Sequence, residues 1–291
     1  MIHKGIIDVE EPEYVTDLEA IQASFQKRIY KRYKPVSDFP ELFITVPDEF
    51  ETIQLAPLYD CHIGSKEHDA PLFEKHLDWL AETPNVFTWN GGDMYENITP
   101  GKAKMGHTPL SPEEQIYRAT EVLARVQHKM LFALPGNHEA RTSQEAGMSG
   151  AARLADNLHV PYFHDYCFCT IKWRGNNFRI LAHHGAGGAQ TAGAQRNSAR
   201  KELTWAKPDI LWTGHLHQPM VDTVFVTDVD QKTGRTFERG ILVIISPSYL
   251  RYFGGYAAEK RMGPGIRGLS VAILNDDGRI DANVHARGRR L

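Results

Sequence analysis

Five short stretches hold the residues best able to do chemistry in this chain: Asp60-Cys61-His62, Gly92-Asp93, Gly136-Asn137-His138-Glu139, His183-His184 and Gly214-His215-Leu216-His217. Six of the 14 histidines lie in them. Carboxylates, an amide oxygen and imidazoles are nitrogen and oxygen donors. Such a set suits a first-row divalent ion (manganese first, then iron, zinc, cobalt or nickel) better than calcium. A carboxylate between two donor clusters can bridge two ions. Two ions about 3.5–4 Å apart clamp a phosphoryl group and acidify a shared water. The reaction this favours is hydrolysis of a phosphate ester by in-line attack of the bridging hydroxide. No single stretch is specific; their number and placement carry the reading.

The elements that must position them follow from the apolar pattern. Strands are expected over 52–59, 86–89, 130–134, 178–182 and 210–213, and each ends at one of the five stretches. Parallel strands of an α/β sheet share one carboxyl rim, where sites form. Alternation along a strand turns Asp60 and His62 to one side, and likewise His215 and His217, with Cys61 and Leu216 turned away. Helices are expected over 71–81 and 111–128. The second carries Ser111, Pro112 and Glu114 as cap, first residue and capping-box partner. Strands over 166–173, 223–229, 240–245, 269–274 and 280–285, with a helix over 198–205, complete a β-rich second half. The alternation followed by hairpins predicts an α/β fold with mixed sheets and helices outside.

The order of these motifs resembles that of the calcineurin-like metallophosphoesterase superfamily over roughly residues 52–220. The resemblance implies a four-layer αββα sandwich of two mixed sheets and a site for two divalent ions. It implies that Asp60, His62 and His217 hold one ion, that Asn137, His183 and His215 hold the other, and that Asp93 bridges them. The family's ligand lies directly after its strand and two residues before a glycine or proline, which favours His183 over His184. His138 is implied as a phosphate contact and proton donor rather than a ligand, with Glu139 orienting locally. The simple core looks more like the bacterial and phage phosphodiesterase or exonuclease branch than the protein phosphatases. The expected substrate is a phosphodiester, DNA, RNA or a nucleotide. A phosphomonoesterase and a non-catalytic scaffold of the same fold are the alternatives. The intact motif set speaks against the scaffold.

Candidate substrate contacts are Arg141 and His184 beside the motifs. Arg251 and Tyr252, in the run Arg251–Tyr256, offer a cation and aromatic faces for stacking, or simple packing. The polar loop 95–109 and the glycine-rich loop 185–193 open at strand ends. Residues 1–50 read as an appended segment before a domain over 51–291. Within it a helix over 17–33 is expected, carrying Lys27, Arg28, Lys31 and Arg32, with Lys34 beyond; such a charge run is ordinarily a solvated face. Its alternative role is a nucleic-acid path.

The bulk numbers bound these readings. Lys+Arg 33 against Asp+Glu 36 gives a net charge of -3, with no global case for a nucleic-acid binder. No apolar run approaches the ~20 residues of a membrane span, so no membrane role is expected. Three cysteines without a disulfide framework, and no apolar leader pattern, lead to the expectation of a cytoplasmic protein.

Overall fold

The apolar runs Val86–Asn90, Met130–Ala133 and Ile210–Thr213 are buried along their whole length, as parallel strands covered on both faces must be. They are β5, β6 and β9 of a computed structural model that describes residues 14–17, 30–33, 39–98, 109–189, 191–253, 265–286 and 289–290. The remaining strands are β1 Tyr14–Asp17, β2 Tyr30–Tyr33, β3 Glu41–Thr45, β4 Thr52–Leu55, β7 Tyr166–Trp173, β8 Asn176–His183, β10 Met220–Val229, β11 Thr236–Ile245, β12 Gly268–Asn275, β13 Ile280–Ala286 and β14 Arg289–Arg290.

They form two mixed sheets. One has the order β1-β2-β3-β7-β8-β9-β11-β10 and the other β14-β13-β12-β4-β5-β6. Strands β4, β5 and β6 run parallel, as do β8, β9 and β11. The sheets face each other across a core that includes Ile44, Leu55, Trp89, Ile171, Ile180 and Trp212. Trp89 stacks on Phe132 (5.2 Å, 16°) and meets Trp212 edge-on (5.1 Å, 84°).

Helices cover the outer faces. On the six-stranded sheet pack α1 Ala70–Glu82, α2 Pro112–Leu123 and, beyond α3 Glu139–Ala146, α4 Gly150–Asn157; Phe73, Leu77, Ile116, Leu123 and Leu154 point inward. The other outer face, with Leu181, Leu211 and Val243, takes α5 Ala192–Ala199. The capping box of α2 forms as expected: Glu114 N donates to Ser111 Oγ (3.3 Å) and Ser111 N to Glu114 Oε2 (2.7 Å). No described helix is long and apolar enough to cross a membrane. None of the three cysteines forms a disulfide, and all three are buried.

Several expectations need correction. The helix over 111–128 stops at Leu123 and continues as a 3-10 turn over 124–129. The helix expected over 198–205 lies earlier, at 192–199, because Thr191 caps it by accepting from Ala194 N; only a 3-10 turn follows at 201–204. Helices α3 and α4 were not anticipated. The expected helix over 17–33 is absent at both described ends, where Asp17 belongs to β1 and residues 30–33 to β2. A run reading Tyr-Lys-Arg-Tyr has the aromatic content of a strand, and β3 offers it a backbone edge. Lys27, Arg28 and Lys34 lie outside the described residues. Nor does the chain divide cleanly at residue 50: β3 pairs parallel with β7, and Leu42, Ile44, Val46 and Phe50 belong to the inter-sheet core.

Candidate metal centre

The loops that leave β4, β5, β6, β8 and β9 meet at one rim between the sheets. Backbone hydrogen bonds sew them together: Asp60 N donates to Gly92 O (3.1 Å), His62 N to Asp93 O (2.9 Å) and Gly214 N to His184 O (2.9 Å). The chain reaches this arrangement through left-handed backbone. Asp60, His62, Asp93, His215 and His217 all have φ between 50° and 66°. Such conformations are uncommon outside glycine and collect at functional sites. Strand alternation therefore does not aim Asp60 and His62, since β4 ends at Leu55. Cys61 nonetheless faces the helix-side core, as parity had suggested.

Glycines admit the close approach. A Cβ on Gly136 would fall 2.0 Å from Asp93 Oδ1, and one on Gly214 would fall 2.5 Å from both Asp60 Oδ2 and the Tyr59 ring. Tyr59 links this rim to the core, because Trp89 Nε1 donates to its hydroxyl (3.2 Å).

Asp60, His62 and His217 form one donor triad, and Asp93, His184 and His215 another; within each, the donor atoms lie within 4.8 Å of one another. His62 Nδ1 donates to Glu96 Oε2 (2.9 Å), which leaves Nε2 facing His217 Nε2 at 3.4 Å. His217 Nε2 in turn lies 3.1 Å from Asp60 Oδ1. In the second triad, His184 Nδ1 donates to Gly91 O (3.0 Å) and turns Nε2 toward Asn137 Oδ1 (3.2 Å) and Asp93 Oδ2 (3.3 Å). His215 Nε2 donates to Gly187 O (2.8 Å), so Nδ1 faces Asn137 Oδ1 at 2.8 Å. Imidazole lone pairs thus meet oxygen acceptors, an arrangement that requires a cation or extra protons between them. The donor set fits divalent ions, and the back-side partners are those typical of metal-bound histidine.

Of the histidine doublet, His184 is the one placed at the rim with a donor triad. Phe178, Ile180 and Ala182 of β8 face the inter-sheet core, and Leu181 faces outward. With side chains repeating every two residues, His183 follows Leu181 to the outer face and His184 follows Ala182 to the rim. His183, expected as a ligand, instead lies beside Glu202.

His138 stands next to both triads, and its donor atoms form a third possible group with those of His62 and Glu96. Its Nδ1 donates to Glu96 O (2.7 Å), its backbone N donates to Asp93 Oδ1 (2.8 Å), and its Nε2 accepts from Arg141 (2.9 Å) and lies 3.8 Å from Asp93 Oδ2. Arg141 also donates to Glu96 O (2.9 Å). Arg251 is turned elsewhere, onto the carbonyls of Lys66 (2.6 Å) and Glu67, and Tyr252 meets Phe253 edge-on. Residues 99–108 and 254–264 of the proposed substrate loops lie outside the described residues.

Two acids were missed or undervalued. Glu96 was not singled out; its spacing from Asp93 carries no signal until the loop turns it onto His62. Glu139 was assigned only a local orienting role. Buried, it accepts from Asp93 N (2.9 Å), Met94 N (2.7 Å) and Gly136 N (2.8 Å), fastening two ligand loops to one another. Glu96→Gln is expected to weaken ion binding at the Asp60 triad about 10–100-fold, the usual effect of losing such a partner, with the other triad less affected. Competition against a fluorescent chelator measures this; unchanged affinity for both ions would contradict it.

Charge at the rim is strongly coupled. Burial opposes the charged form of Asp60 and Asp93, yet His217, His138 and His184 hold both carboxyls below their usual range. Burial likewise opposes protonation of His62 and His184, but the Glu96 hydrogen bond raises the first to about 9 and the Asp93 charge raises the second to about 10. A ligating imidazole must surrender that proton. Ion binding near neutral pH should therefore release a proton from each of these histidines, and apparent affinity should climb as pH rises toward about 9. Calorimetry in buffers of different ionisation enthalpy counts the protons; zero release would contradict the assignment.

No family model matches the sequence, and no curated protein matches it. Among solved structures the chain is similar to a solution NMR structure of the Thermotoga maritima protein TM1076. The identity is 15%, with 80% of this chain and 99% of that one covered and a TM-score of 0.33. At that level the likeness carries no functional information.

Proposed function

We propose that this chain is a two-metal phosphoesterase of the calcineurin-like type, acting on phosphodiesters of nucleic acids or nucleotides. The observation that carries the reading is the pair of triads at one rim. In both, imidazole nitrogens held from behind by a carboxylate or a backbone carbonyl converge on buried carboxylate and amide oxygens. Asp60, His62 and His217 would hold one ion and Asn137, His184 and His215 the other, with Asp93 between them. The layering of helices outside two facing mixed sheets supports the αββα reading. Bound divalent ions supply Lewis acidity for a phosphoryl oxygen and lower the pKa of coordinated water.

The chain's own residues supply the rest. His138 Nε2 and Arg141 already touch, and a phosphate oxygen placed between them gives both a common acceptor. Burial pushes His138 down to about 4, so its proton must come with the negative charge of the substrate. Nδ1, committed to Glu96 O, fixes Nε2 as the atom that holds the proton destined for the leaving oxygen.

The test is a substrate panel with metal-stripped protein and Mn²⁺ restored: bis-para-nitrophenyl phosphate, para-nitrophenyl phosphate, and end-labelled single- and double-stranded DNA. Diester turnover above monoester turnover is expected. A monoester preference would leave a phosphomonoesterase, and silence on every substrate would leave a scaffold.

A further inference from the structure

His183 is the histidine that the metal centre leaves over. Its Nε2 lies 3.6 Å from Glu202 Oε2, beyond hydrogen-bond length. Both atoms are buried and have no hydrogen-bond partner among the described residues, and the two residues are only 8% and 7% exposed. Buried polar atoms without partners are costly and rare, and this pair sets one donor and one acceptor side by side at the wall of a cavity. Both residues line a cavity of about 680 Å³ that extends from Asn137 and His184 at the metal centre to Tyr162 and Tyr166. That volume lies within the range of small-molecule sites. The Tyr166 ring lies 5.2 Å from that of His183 and is backed edge-on by Trp205 at 5.5 Å, giving the cavity an aromatic wall.

We propose that this cavity binds the base of the nucleotide whose phosphate lies at the metal centre, with Glu202 Oε2 accepting from a base N–H and His183 Nε2 donating to the adjacent base acceptor. This rests on the phosphoesterase reading. Every nucleobase places an N–H beside a nitrogen or oxygen acceptor on its Watson–Crick edge, the edge that enzymes with pockets for single bases read. A base needs a flat slot with aromatic sides and one donor and one acceptor at its end. Tyr162 and Tyr166 line the same cavity as His183 and Glu202, so aromatic rings and a donor–acceptor pair border one space beside the candidate metal centre. The proposal makes His183 a specificity residue, and it gives the His183-His184 doublet two separate tasks on opposite faces of one strand.

The test uses ligands that differ by one methyl group, so it needs no variant to fold. Calorimetry of the Mn²⁺-loaded protein compares thymidine 5′-monophosphate with its N3-methyl derivative, which has lost the N–H. Hydrolysis compares the para-nitrophenyl diesters of the same two nucleotides with bis-para-nitrophenyl phosphate. The N3-methyl compounds are expected to bind and react about 10–100-fold more weakly. Glu202→Leu should erase that difference while leaving turnover of the base-free diester unchanged. Equal handling of the two nucleotides, with all diesters hydrolysed, would overturn the base pocket and leave the phosphoesterase standing. Methyl-sensitive binding with no hydrolysis of any diester would do the reverse.

Discussion

Asp93→Asn should empty both ion positions and lower diester turnover at least about 10³-fold. Several kcal/mol of transition-state stabilisation depend on the ions, and about 4 kcal/mol corresponds to that factor. The substitution is nearly isosteric, and an amide oxygen at the same place can still accept the His138 N–H that Asp93 Oδ1 now accepts at 2.8 Å. What it removes is the anion. Asp93 Oδ2 lies 3.3 Å from His184 Nε2 and 3.8 Å from His138 Nε2, and His184 Nε2 lies 4.0 Å from Asp60 Oδ1 of the other triad. His62→Ala, by contrast, removes one donor from one triad and should leave the other ion in place. Elemental analysis after gel filtration, with an unfolding curve beside it, separates the cases. A folded Asp93→Asn protein holding two tightly bound ions would refute the bridging role.

His138→Ala should do the opposite: keep both ions and lose about 10²–10⁴-fold in turnover, the usual worth of a positioned proton donor. Its two nitrogens are committed to Glu96 O and Arg141, not to either ligand set. The loss should be largest for poor leaving groups and smallest for para-nitrophenolate, which departs without a proton. A variant that loses metal, or one that loses activity equally for every leaving group, would show that His138 has another task.

Much of this was legible in the sequence, for definable reasons. Strands β5, β6 and β9 are buried on both faces and read as unbroken apolar runs, and α2 begins at a cap whose residues leave little choice. The glycines beside the acidic and histidine residues marked turns at strand ends, and the close approach that Gly136 and Gly214 make shows only in the fold. The left-handed backbone at five candidate ligand positions was not legible, because nothing in an Asp-Cys-His run demands φ near 50°. The preference for His183 rested on a strand ending at residue 182, but β8 runs to His183, and strand parity decides the doublet. Leu181 is apolar like its neighbours Ile180 and Ala182, since both faces of β8 are covered, so the pattern does not tell which face is which. Glu96 was invisible because its partner His62 lies 34 residues away and only the fold joins them. The N-terminal basic run misled because the pairing partner of residues 30–33 is a strand whose capacity to pair does not show in that run.

Whether two ions bind at one rim, with turnover dependent on both, is tested directly by titrating metal-stripped protein with Mn²⁺, with bound ion counted by equilibrium dialysis and turnover of bis-para-nitrophenyl phosphate read from the same samples. Saturation is expected at two ions per chain, with activity appearing as the second site fills and a chelator abolishing it. Binding of fewer than two ions at full activity, or turnover indifferent to the chelator, would contradict it.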